Sequence, residues 1–84
     1  MDKNFEIKEK IGVIKKDASG DTLELNIVAW YGGYAKFDIR RWSPDHERSY
    51  KGMTLTQEEA ENLSKLLNEY FQQKHDLFAH NIAK

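Results

Sequence analysis

Cysteine is absent from this 84-residue chain, so neither a disulfide nor a thiolate metal site can staple the fold. Proline occurs once, at Pro44, and marks a single hard break in an otherwise regular pattern. No stretch approaches the roughly 20 apolar residues that a membrane span needs. The start, "MDKNFEIKEK", is charged and lacks an apolar h-region, so no signal peptide is expected and a soluble, cytoplasmic protein is. An excess of either charge is missing too. Lys and Arg number 13 against 14 Asp and Glu, a balance that carries no footprint of nucleic acid in bulk. Residues 54–84 hold the acidic excess, which leaves room for a basic face on the earlier part.

What is present is a run of alternating strands. "FEIKEKIGVI" places Phe5 and Ile7 in alternation, slips, and resumes with Ile11 and Val13; Gly12 marks a bulge or bend. "KKDASGD" is a polar turn. In "TLELNIVAW", Leu23, Leu25, Ile27 and Ala29 share one face, while Thr22, Glu24, Asn26, Val28 and Trp30 share the other. "YGGY" reads as a hairpin turn centred on Gly32-Gly33. The return strand, "AKFDIRRW", alternates Phe37 and Ile39 with Lys36, Asp38, Arg40 and Trp42. "SPDHERSY" is a loop, "KGMTL" a short fourth strand, and Gly52 a point of sharp bending or close backbone approach.

The rest is a helix. Thr56 and Glu59 form a capping box, and Ala60, Leu63, Leu66, Leu67, Tyr70 and Phe71 recur at helical spacing to make one apolar face. Leu77 and Phe78 extend the stripe, and residues 76–84 are expected to be a fraying tail. The expected fold is α+β: an antiparallel four-stranded curved sheet followed by one C-terminal helix, β-β-β-β-α, in a single domain. So short a chain buries a modest share of its surface, and a homodimer is the available remedy.

With the helix on Leu25, Ile27, Phe37 and Ile39, the other face of the sheet is expected to be bare, presenting Asn26, Trp30, Lys36, Arg40 and Trp42. Aromatics interleaved with cations suit a single-stranded nucleic acid, with bases stacked on rings and phosphates met by Lys and Arg. The same residue types also suit a protein-interaction face, and Trp30 beside a turn with Arg40 near Asp38 or Glu24 fits plain cross-strand packing and ion pairing. An enzyme is not expected. "SPDHE" puts Asp45, His46 and Glu47 in a row, His75 and His80 are five apart, and neither spacing makes a metal site or a cofactor cradle.

"AKFDIRRW", the loop after it, and "KGMTLTQEE" at this separation resemble the Positive Cofactor Four family of transcriptional coactivators, and more narrowly its small bacterial YdbC-like branch. The resemblance spans about residues 23–71. It implies a homodimer that binds single-stranded DNA, largely without sequence preference, in service of transcription, replication or repair. By position, it makes Arg40 a DNA-contacting arginine, Lys51 a backbone-contacting lysine and Trp30 a base-stacking aromatic. The expected nucleic-acid-binding set is therefore Trp30, Tyr34, Lys36, Arg40, Trp42 and Lys51, with DNA or RNA as the strand. The expected dimer and core set is Leu63, Leu66, Leu67, Tyr70 and Phe71. No metal, cofactor, membrane or small-molecule substrate is expected. "YGGYAK" departs from the basic hairpin of the family's eukaryotic members, so with fewer cations stacking should weigh more and salt dependence should be shallower.

Overall fold

A computed structural model of the protein describes residues 4–73. Four antiparallel strands run in the sheet order β1-β2-β3-β4: β1 is Phe5–Lys16, β2 Thr22–Trp30, β3 Ala35–Trp42 and β4 Met53–Leu55. One helix, α1, follows over Gln57–Gln73. This is the expected α+β open sheet with a following helix. The expected fraying tail, residues 76–84, lies outside the described residues, as do His75, Leu77, Phe78 and His80.

Alternation in β2 and β3 fixes the two faces. The register sets Leu25 opposite Ile39 and Ile27 opposite Phe37 on the helix side. On the far side it sets Glu24 opposite Arg40, Asn26 opposite Asp38 and Val28 opposite Lys36. β1 is irregular. Its register against β2 shifts between Ile7 and Glu9, between Lys10 and Gly12, and between Val13 and Lys15. The first two shifts sit where the sequence slips after Ile7 and where Gly12 interrupts it. An extra residue leaves a backbone amide without its ladder partner. At the second shift the Ile11 N–H finds one in the side chain of Asn26, 3.3 Å away.

The β2–β3 turn is built one residue earlier than expected. Its positive-φ pair is Tyr31 and Gly32 (φ 53° and 74°), closed by the Gly33 N–H donating to the Trp30 carbonyl at 2.8 Å. That is the primed turn that suits strand twist. Left-handed backbone costs a side-chain-bearing residue about 1–2 kcal/mol. Tyr31 is held there by its own N–H, which donates to the Asn4 carbonyl at 2.6 Å. Gly52 is a close approach, as expected: a Cβ there would lie 2.3 Å from the Ile39 carbonyl oxygen and from the Arg40 Cβ. The chain thus crosses against β3 just before β4 begins.

The capping box forms as read. The Thr56 N–H donates to Glu59 Oε1 at 2.8 Å, and the Glu59 N–H to Thr56 Oγ1 at 3.1 Å. The helix then lies over β3 and β4, yet none of its residues is buried. The buried apolar side chains are instead Val28, Ala29 and Trp42, and two of these three belong to the face away from the helix. The expectation of a bare far face is therefore corrected. Phe5 at the start of β1 and the 43–49 loop fold over that face and close around Trp42. Among the described residues no helix is long and apolar enough to cross a membrane.

Candidate nucleic-acid interface

The far face divides into a covered half and an open half. The covered half centres on Trp42, which has no exposure. Its ring centroid is 4.9 Å from Phe5, 5.6 Å from His46 and 6.3 Å from Trp30, the last two nearly parallel to it. Expected as a stacking contact, Trp42 is a packing centre instead, because the 43–49 loop brings His46 down onto it. Among the described residues its Nε1–H is the one buried side-chain polar atom without a hydrogen-bond partner.

Beside it lies a polar cluster. Glu24, 5% exposed, takes hydrogen bonds from the Thr22 hydroxyl and from Asn26 Nδ2, and pairs with His46 Nε2 at 2.7 Å. Burial acts to raise the pKa of Glu24. The hydrogen bonds from Thr22, Asn26 and His46, with the charge on His46, outweigh it and hold the carboxyl below its ordinary value. In the loop, Asp45 is also held below its ordinary value, chiefly by the Glu47 N–H and the Ser43 hydroxyl. These bonds shape the loop that carries His46, itself at φ 60°.

The open half is a cleft of about 660 Å³. Trp30, Lys36 and Arg40 reach it from β2 and β3, Tyr34 from the turn, and Tyr50 and Lys51 from the β3–β4 connection. Five of the six residues expected to bind nucleic acid thus share one concavity, and Trp42 is the one left out. The cleft also enlists Tyr31 and Tyr50, which the expected set omitted. Tyr50 directly precedes Lys51-Gly52, so the backbone crossing at Gly52 that places one places the other. Tyr34 and Tyr31 are the most open aromatics, at 94% and 78% exposure, whereas Trp30 is half-buried.

Trp30 and Arg40 are tied together. The Trp30 Nε1–H donates to Asp38 Oδ2 at 3.0 Å, and Arg40 Nε donates to Asp38 Oδ1 at 2.7 Å. The guanidinium carbon of Arg40 sits 4.3 Å from the Trp30 ring centroid, a cation–π contact. Arg41 points elsewhere: its Nε pairs with Asp17 at 2.7 Å, beside the β1–β2 turn. The lining of the cleft therefore carries three cations, Lys36, Arg40 and Lys51, and no carboxylate.

On the helix side a second groove, about 590 Å³, is mainly apolar, with Glu61, Ser64 and Asn68 as its polar lining. Leu63, Leu67 and Phe71 line it from α1, with Leu25, Ile39 and Leu55 from the sheet. Leu66 and Tyr70, expected in the same set, stand outside it at 64% and 49% exposure. Among the described residues no group of three or more potential ligands could hold a metal ion.

The chain is 40% identical over 67 residues to an uncharacterized protein of Treponema pallidum (strain Nichols), a match that covers 80% of this chain and 79% of that protein. No family model matches the chain.

Proposed function

The chain belongs to the family of that Treponema pallidum protein, and from the cleft it carries we propose that it binds single-stranded DNA. One observation supports this most: three cations and four aromatic side chains converge on one open cleft of a chain whose overall charge is −1. A polymer of flat bases and regularly spaced anions matches that mixture. Each base stacked on an aromatic ring contributes about 1–3 kcal/mol without regard to sequence, while the cations meet phosphates. Binding is therefore largely sequence-independent, in a role within transcription, replication or repair. The second part of the reading is a homodimer. The helix-side groove exposes apolar side chains from both sheet and helix, and a second copy would cover them.

Titration with oligo-dT at low salt tests the first part. Tryptophan emission should fall as bases enter beside Trp30, and the complex should migrate as a discrete species. Absence of both the quench and the mobility shift would sink the reading. RNA of equal length, added as competitor, separates the two strand chemistries. For the second part, sedimentation at micromolar protein should give twice the 9.9 kDa chain mass, and a stable monomer would refute it.

A further inference from the structure

We propose that Asp38 is the positioning residue of the cleft: it locks Trp30 and Arg40 into one stacked unit that receives a base, and leaves phosphate attraction to Lys36 and Lys51. The inference rests on the single-strand reading and deepens it. Asp38 has no exposure, and each of its carboxylate oxygens is committed, Oδ2 to the Trp30 indole and Oδ1 to Arg40 Nε. A buried carboxylate with two charge- or dipole-bearing partners is costly to separate from either. It therefore fixes where both side chains stand before any ligand arrives.

The consequence for Arg40 is specific. Its charge is compensated at 2.7 Å by Asp38, its side chain is only 14% exposed, and Nη1 reaches back to the Tyr50 carbonyl at 3.4 Å. Its carbon lies over the Trp30 ring. A guanidinium so tied offers a flat, weakly hydrated surface continuous with the indole rather than a free cation. Lys36 and Lys51, both exposed at the rim, keep the mobile point charges that phosphates require.

The division of labour is read in salt dependence, because each phosphate neutralised on a single strand adds about 0.7 to the slope of log affinity against log salt. Oligo-dT titrations over a salt series would compare the wild type with Asp38→Asn, Arg40→Lys and Lys36→Gln. Lys36→Gln should make the slope shallower by about 0.7. Arg40→Lys keeps the charge and its compensation but loses the planar group, so affinity should fall about tenfold with the slope unchanged. Asp38→Asn frees the charge of Arg40, so the slope should steepen by about 0.7. In the same variant the tryptophan quench at saturation should shrink. Near-UV circular dichroism of the Phe5–Trp42–His46 cluster, outside the cleft, reports whether each variant keeps its fold. If Asp38→Asn does not fold, Arg40→Lys carries the test.

Wild-type affinity and slope in both Asp38→Asn and Arg40→Lys overturn the assignment of Asp38 while the single-strand reading stands. A loss in Asp38→Asn with its slope unchanged gives Asp38 a merely structural role and overturns it as well. If the wild type itself does not bind, the single-strand reading fails and the assignment with it.

Discussion

The two faces of the sheet reverse the usual arrangement. On the face away from the helix, Glu24, Asn26 and Asp38 are buried with Val28 and Trp42. On the helix face, Leu25, Ile27, Phe37 and Ile39 are only half-buried, and Leu63, Leu67 and Phe71 are exposed. The carboxylates and the amide of the polar face are all engaged within the chain: Asn26 fills a bulge, Glu24 gathers three donors and Asp38 two, and only the Trp42 Nε1–H among the described buried side-chain polar atoms is left over. The apolar face is incomplete within one chain. Burial in a small domain is thus assigned by which groups find partners within the chain, and not by hydrophobicity alone.

The contrast is open to attack at several points. The largest expected effect is on the polar face: Trp42→Ala should cost about 3–5 kcal/mol in denaturant unfolding, the range for emptying a large aromatic site. A change on the other face, Leu67→Ala in the apolar groove, should cost far less in the monomer, since 48% of that residue is exposed. If the two changes cost the same, the contrast between the faces collapses.

Gly52→Ala comes next. A methyl group 2.3 Å from the Ile39 carbonyl oxygen forces the chain off β3, at a cost of about 1–3 kcal/mol or more for overpacking. Because the same crossing sets Tyr50 and Lys51 in the cleft, oligo-dT affinity should fall together with stability. A change in stability alone would separate the crossing from the cleft.

A double change on the apolar face, Leu63→Glu with Leu67→Glu, should leave the polar cluster intact and convert a dimer to monomer in sedimentation. An unaltered dimer would place the interface elsewhere.

The smallest effect concerns acid. Glu24 titrates lower in the folded chain than unfolded, so its contribution to stability is present above its ordinary range, near pH 4.5, and is lost as pH falls through the depressed value. Glu24→Gln should flatten that acid limb of the stability curve. An unchanged limb would mean that Glu24 contributes nothing to it.

Much of this architecture is legible in the sequence, and the exceptions are instructive. Alternation assigned each residue of β2 and β3 to its face, and "TQEE" began the helix, because both signals are local. The capping box needs only four residues, and the pleat only neighbours. Which face would be covered was not legible. That depends on the 43–49 loop folding back to bring His46 against Trp42, a contact that alternation does not encode. The same loop removed Trp42 from the expected site, and the backbone crossing at Gly52 that follows it added Tyr50. Alternation put Asp38 on the far side of β3, yet its burial and its role depend on a bond to Trp30 from across the hairpin, which appears only once the side chains are in place. The turn moved from Gly32-Gly33 to Tyr31-Gly32 because Asn4, distant in sequence, holds the Tyr31 amide.

β1 uses 12 residues to accompany the nine of β2. Like a runner in the outer lane of a bend, it covers a longer path to finish level. That surplus brings Phe5 round to Trp30 and puts the outer hydrogen-bonding edge out of step with any straight template. A second chain could not zip onto that edge strand by strand. If a second copy docks as proposed, that edge is a poor seat for it, and the apolar groove on the helix side is the better one.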